Sequence, residues 1–288
     1  MKTNYKIVDF FDGYSVLEYL EAFSLGKSKI HNLFQSKNIE LNGMLARRED
    51  ILHIGDILSI DSVEERDYAP LKKKLDIVYE DDYLLIVNKP VNILVYPDGI
   101  DKGDSLANVV SYYYQNKGLD YTIKYAHRLD RDTTGLLIFA KDYLTLAAVT
   151  KMLADHSLER TYLCLAQGHF KNPKDRIVAK IGEDRHHNQR KRISKTGKIA
   201  ITDYEVLKEY KGYSLVKVIL QTGRTHQIRV HLSSIGHALL GDELYGGDMR
   251  KASRCLLHSA KIKMVHPVTR KLLEIEKALP YDMANLID

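Results

Sequence analysis

The residues best placed to do chemistry stand together in one short run, His127-Arg128-Leu129-Asp130-Arg131-Asp132-Thr133-Thr134-Gly135. Apolar stretches, YAHRL and GLLIFAK, flank the turn at its centre and are predicted as strands. Arg-Asp-Thr-Thr-Gly makes a tight exposed turn, so Asp130 is expected at a strand end on the rim of a sheet. Residues two apart on a strand share a face, so Arg128 and Asp130 can point the same way. Cations nearby favour a carboxylate over its acid, and the anion can serve as nucleophile or general base. On composition alone the segment reads equally as an ion-paired β-turn. Asp130 and Asp132 also form a DxD pair, which raises the alternative of a metal-dependent nuclease. Two-metal sites need several convergent acids, however, and the flanking arginines oppose a cation, so no metal is expected.

The elements that must position this run follow from periodicity. In SVLEYLEAF, Val16, Leu17, Leu20 and Phe23 recur at helical spacing, and Ser15 with Glu18 has capping-box spacing. A second helix starts near Ser28, buries Ile30, Leu33 and Phe34, and carries Lys27, Lys29 and Lys37. NIELNGML places Asn42-Gly43 between short alternating runs, a hairpin signal, and DILSI adds a strand ending near residue 61. SVEERDYAPLKKK then loses periodicity and reads as a charged linker, which suggests two independent cores on either side. Beyond it come a hairpin in LDIVYEDDYLLIVNKP, helices in SLANVVSYYYQ and YLTLAAVTKMLADHS, and strands in RTYLCLAQG, AITDYEVLKEY, YSLVKVILQT and SRCLLHSAKIKMV. Consecutive strands without βαβ alternation predict an α+β fold whose sheet is mixed and largely antiparallel.

Net charge is only +5 across 288 residues, so its distribution matters more than its size. Residues 171–198 hold ten lysines and arginines against three acids, more positive charge than the whole chain nets. That density, greatest in RHHNQRKRISKTGK at 185–198 with Arg190, Lys191 and Arg192 at its centre, points to a polyanion, against the alternative of a solvated basic loop. Cys164 and Cys255 lie in apolar contexts without metal or disulfide spacing and are expected to be buried and inert. No apolar run is long enough to span a membrane, and the first residues lack a signal-peptide core, so a cytoplasmic monomer without membrane contact is expected.

HRLDRDTTGLL resembles the signature of the ribosomal large-subunit pseudouridine synthases of the RluA type, with Thr134 where that family commonly has Ser. EDDYLLIVNKP, LERTYLCLAQG, TGRTHQIRVHLSSIGHALLGDELYG, RCLLHSAKI and HPVT resemble its other segments in order, from about residue 12 to 275. One departure is Tyr96-Pro97, where the family has His-Pro. The helix, helix, hairpin, strand order near the N-terminus resembles the S4 RNA-binding domain, with SKIHNLFQSKNIELNG at the recognition segment. Residues 12–62 hold five basic and eight acidic residues, so an RNA face there must come from clustering of Lys27, Lys29, Lys37, Arg47 and Arg48. The expected organisation is an S4-like unit at 12–62, a linker at 63–74 and a catalytic domain at 75–288.

The resemblance implies the isomerisation of uridine to pseudouridine in structured RNA, most readily 23S ribosomal RNA, with no cofactor. Transfer RNA and a non-catalytic RNA-binding role on the same scaffold are the alternatives. It implies Asp130 as the catalytic aspartate, Tyr162 as the active-site tyrosine and Arg224 as the cation paired with Asp130. The residue types suit the reaction. An anion can add to the anomeric carbon or remove the neighbouring 2′ proton, and a tyrosine offers a face to stack on uracil and a phenol to relay the carbon 5 proton. A stacked uridine must be flipped out first. His127, Arg128 and Arg131, with Arg131 preferred, are candidates to fill the vacated space or hold backbone phosphate. His226 alternates with Ile228 and Val230 and reads as a structural histidine, outside the catalytic set.

Overall fold

The computed structural model describes residues 2–61, 68–97, 104–119, 121–187 and 189–287. The first unit holds β1 (Lys2–Lys6), α1 (Val16–Ala22), α2 (Lys27–Gln35), β2 (Ile39–Leu41), β3 (Met44–Leu45) and β4 (Ile57–Asp61). Local chemistry fixes its turns. Ser15 Oγ accepts from the Glu18 N–H while the Glu18 carboxylate accepts from the Ser15 N–H, so the capping box is complete. Asn42 and Gly43 adopt φ of 51° and 82°, the left-handed pair that a two-residue hairpin turn requires. Their strands join an antiparallel sheet ordered β1-β4-β2-β3. The unit therefore begins at the second residue, not at residue 12: β1 pairs along β4, burying Thr3 and Tyr5.

The rest of the chain builds β5 (Ile77–Glu80), β6 (Leu84–Lys89), α3 (Leu106–Asn116), β7 (Lys124–Tyr125), β8 (Thr134–Ala140), α4 (Tyr143–Ala154), β9 (Glu159–Gln167), β10 (Lys174–Glu183), β11 (Lys191–Ile193), β12 (Lys198–Tyr210), β13 (Tyr213–Leu220), α5 (Gln227–Ser234), β14 (Leu257–Val265), β15 (Leu272–Glu276) and α6 (Tyr281–Ala284). Eleven strands form one sheet whose main path runs β11-β10-β12-β13-β9-β14-β8-β6-β5. Among the described strands only β14 and β8 run parallel, so the α+β, mixed and largely antiparallel architecture holds. Of the strand expected at YAHRL only Tyr125 is in a strand, the two-residue β7, after which the chain leaves the sheet to form the Asp130 loop. Both cysteines are buried and unbridged, and burial pushes both thiols up. No helix among the described residues is long and apolar enough to cross a membrane.

The centre of the sheet is covered on both faces. On β6 and β8, Leu84, Ile86, Leu136 and Ile138 face one apolar cluster, and Leu85, Val87, Leu137 and Phe139 the other. The second cluster contains α3 residues such as Val109 and Tyr114. The first contains Leu144 and Val149 of α4 together with Tyr5, Tyr19, Phe23 and Ile60 of the N-terminal unit. Tyr5 stacks on Tyr83 with ring centroids 5.5 Å apart, and the Tyr83 hydroxyl donates to the Asn4 carbonyl. The two cores expected to be independent are thus one. Residues 62–67 of the expected linker lie outside the described residues; the part that follows is held along α3, where Ser111 Oγ donates to the Tyr68 carbonyl and Asn108 Nδ2 to that of Ala69.

Candidate functional site

Asp130 sits in the loop that enters β8, and buried cations hold that loop by its backbone. Lys89, at the end of β6, is fully buried; its ammonium donates to the carbonyls of Pro90, Ile93 and Arg131 at 2.8–2.9 Å. Burial pulls its pKa down to about 7, against the carboxylates of Asp130 and Asp132. From the other side Arg254 donates to the carbonyls of Asp132 and Cys255, its remaining nitrogens gripping Asp282. Asp130 itself closes the turn, its carbonyl accepting from the Thr133 N–H. The loop's backbone direction is therefore fixed on both sides of the carboxylate.

The carboxylate faces a cavity of about 510 Å³ at the meeting of β9, β14, α5 and the Asp130 loop. Tyr162 forms part of its wall, buried on β9 and paired in register with Ser259 of β14. Burial pushes the Tyr162 phenol up, and the neighbouring Arg160 guanidinium pulls it back. Asp130 and Tyr162 are brought into one cavity as the sequence suggested.

Arg224 is not the partner of Asp130. It is exposed, its Nε donates to the Ile199 carbonyl, and its backbone N–H donates to Gln227 Oε1. Arg229 takes that place: Nη1 donates to Asp130 Oδ2 at 3.3 Å, while Nε and Nη2 grip the fully buried Asp242 at 2.8 and 2.7 Å. The reason is the local fold. Gln227 ties the 222–224 loop to β12 through Thr222, Ile201 and Thr202, and the chain then turns into α5, whose first turn carries position 229 toward Asp130. Burial opposes the charge on Arg229, but the Asp242 hydrogen bonds outweigh it and raise its pKa.

His226 stands just before that helix in the left-handed region at φ 56°, not on a strand. Its Nδ1 lies 3.0 Å from the Tyr245 hydroxyl, and its Nε2 is 3.8 Å from Asp130. Burial lowers its pKa against the pull of Asp130. It is hydrogen-bonded within the fold as expected, yet it also borders the carboxylate. Tyr245, which the sequence left without a role, joins the site to the basic segment: its hydroxyl accepts from the Lys191 N–H, and Arg229 and Arg190 lie over its ring at 5.0 and 5.3 Å.

The described part of the basic segment contributes to the β10–β11 edge hairpin, with Arg192 exposed, Arg190 half-buried and the Lys191 ammonium paired with Glu183. Arg128 is exposed at the cavity mouth, donating to the Tyr96 hydroxyl at 2.9 Å and lying over its ring, which stacks on Tyr125. Arg131 is exposed on the loop itself, and the His127 ring is turned inward, its Nε2 accepting weakly from the Ile138 N–H. Lys27 and Lys37 are exposed on the N-terminal unit, whereas Lys29 lies 5.1 Å over the Tyr143 ring of α4.

Known proteins share this fold and much of this sequence. The fold matches human RNA pseudouridylate synthase domain containing 1 with a TM-score of 0.60 and 26% identity, over 72% of this chain and 84% of that one. Residues 83–234 match the family described as RNA pseudouridylate synthase. The uncharacterized RNA pseudouridine synthase YhcT of Bacillus subtilis is 39% identical over 95% of this chain and 91% of its own length. Ribosomal large subunit pseudouridine synthase D of Pseudomonas aeruginosa is 32% identical over 91% of this chain and 86% of its own. The class is that of an isomerase acting on RNA. This chain belongs to the RNA pseudouridylate synthase family.

Proposed function

We propose that the enzyme converts uridine to pseudouridine in large-subunit ribosomal RNA, with Asp130 as the reacting anion, Tyr162 against the uracil and Arg229 as the cation holding Asp130. The observation that carries this is the Asp130 carboxylate, gripped by a buried arginine and facing a cavity walled by Tyr162. Asp130 acts on the ribose, the bond from N1 to C1′ breaks, the uracil turns, and C5 bonds to C1′. The C5 proton leaves through Tyr162 or water, and N1 takes up a proton, so no redox change and no added group are required. The ribosomal substrate is supported by the relatives named ribosomal large subunit pseudouridine synthase D, at 31–36% identity.

The exposed Arg192, with Arg128 at the mouth and Arg131 on the Asp130 loop, would hold phosphates around the flipped nucleotide, and Lys27 and Lys37 would extend that contact over an S4-like unit. Replacing Asp130 by Asn keeps the side chain's shape and removes its charge. Tritium release from carbon-5-labelled uridine in a 23S RNA transcript should fall by several orders of magnitude, with RNA binding kept within about tenfold. Asp132→Asn should be far milder. Near-normal release by Asp130→Asn would overturn the assignment, and pseudouridine maps of cells lacking the protein that change only in transfer RNA would overturn the substrate.

A further inference from the structure

The cavity that holds Asp130 is lined by a second charge, one that the isomerisation steps do not use. Arg160 stands two residues before Tyr162 on β9, so both side chains leave the strand on the cavity face. It is only 7% exposed. Every other buried arginine described here, Arg229 and Arg254, grips an aspartate. No carboxylate lies within ion-pair distance of Arg160 among the described residues; its side chain meets the Tyr162 hydroxyl, and its Nε has no hydrogen-bond partner. A guanidinium shut away from water without an anion is costly, and folded proteins pair or hydrogen-bond such groups. The anion is therefore to be sought in what the cavity binds.

The surroundings leave room for it. The neighbouring loop contributes Gly223, where even an added Cβ would come no nearer than 3.5 Å to the guanidinium, and Thr150 and His156 at the end of α4 line the same cavity. The positive charge is felt by its neighbours: it pulls the Tyr162 phenol down, and with burial it holds His127 in its neutral form.

We propose that Arg160 is a phosphate site, receiving a backbone phosphate next to the flipped uridine and so drawing that nucleotide to full depth against Tyr162. A guanidinium fork suits a phosphate, giving two parallel hydrogen bonds that also fix the nucleotide's rotation. The inference rests on the RNA-isomerase reading, but its test does not depend on turnover alone. Arg160→Met keeps length and removes charge. Because the charge has no carboxylate partner among the described residues, the variant should melt at the wild-type temperature or higher. On a 23S RNA transcript its KM should rise about tenfold or more, with kcat within about threefold. In an Asp130→Asn background, where no reaction intervenes, the slope of log affinity against log salt should shrink by roughly 0.7 to 0.9, the amount expected for one phosphate contact. Arg160→Lys should recover most of the lost affinity.

A lower melting temperature with unchanged KM and salt slope would make Arg160 a structural cation and overturn the proposal. A collapse of kcat at unchanged KM and salt slope would place the charge on the reacting base and overturn it equally. Should the wild type isomerise nothing, the functional reading fails while the salt slope still decides the phosphate site.

Discussion

Removing the charge of Arg229 strands two carboxylates at once, Asp130 at the cavity and the fully buried Asp242 behind it. Breaking one partner from a buried pair costs about 3–5 kcal/mol, so Arg229→Met should unfold in denaturant titrations at markedly lower concentration as well as lose isomerisation. Arg229→Lys keeps a charge but not the fork that spans both carboxylates, and should lower kcat at least about a hundredfold with a smaller stability loss. Arg224→Ala, touching only a backbone carbonyl with its side chain, should change kcat by less than about tenfold. Tritium-release kinetics on the three variants distinguish the two arginines; equal losses at 224 and 229 would contradict the geometry. The histidine that opens the catalytic run sets an acid limit. Burial, with Arg160 nearby, holds the His127 pKa at about 3, and burial holds that of His258 at about 4. Both are depressed below the ordinary 6.5, so the unfolded chain takes up protons that the folded chain refuses. Stability is complete above about pH 6.5 and is lost as pH falls toward 4 and then 3. His127→Gln should flatten the melting temperature against pH in that window, and an unchanged slope would show that the ring is not carrying the effect.

The element most exposed to a small change is the start of β8, where it runs parallel to β14. Gly135 has φ +105°, and an added Cβ would lie 2.2 Å from the Ser259 carbonyl oxygen. Gly135→Ala must therefore pry the two strands apart five residues beyond Asp130 and strain the backbone too. A loss of roughly 2 kcal/mol or more is expected in thermal melts, with isomerisation falling in the fraction that stays folded. Such contacts mark the boundary of what the sequence reveals. The capping box at Ser15, the Asn42-Gly43 turn and most long strands are written in local spacing, and they fold as read. β1 escaped because five polar-looking residues become a strand only by pairing with residues 57–61, far along the chain. The segment after Arg224 misled in the opposite way: Ile228 and Val230 alternate as in a strand, but Ile228 and Leu232 also stand one helical turn apart, and the helix prevails. Arg229 went unassigned for that reason, since only the helix turns it toward Asp130. Lys89 and Arg160 look like surface residues in sequence, and what makes them matter is burial by strands distant in the chain. Asp130 and Tyr162, which the family resemblance marks together with Arg224, do line one cavity.

At the scale of the whole molecule the N-terminal unit is a cover for the sheet, not a module on a tether. Its Tyr5 ring stacks on Tyr83, and Phe10 receives the Arg270 guanidinium 4.1 Å over its face. Tyr5 also reaches the buried Asp142 that caps α4, where Thr145 donates twice. One aromatic pair contributes roughly 0.5–1.5 kcal/mol beyond its buried area, and a shared apolar face contributes more through burial itself. Removing residues 1–65 would leave Tyr83, Leu144 and Val149, now buried, open to water beside a large sheet. The remaining fragment should therefore be poorly soluble, bind a hydrophobic dye and melt well below the full chain. A fragment that stays monomeric with an unchanged melting temperature would show instead that α4 alone seals that face. The milder variant Tyr5→Ala keeps the chain intact and should lower the melting temperature of a single cooperative transition, because the unit and the sheet unfold together. Two separate transitions would mean that the shared cluster does not couple them. If they are coupled, Lys27 and Lys37 stand at fixed distances from Asp130, and RNA that touches both must match that spacing rather than draw the unit toward it.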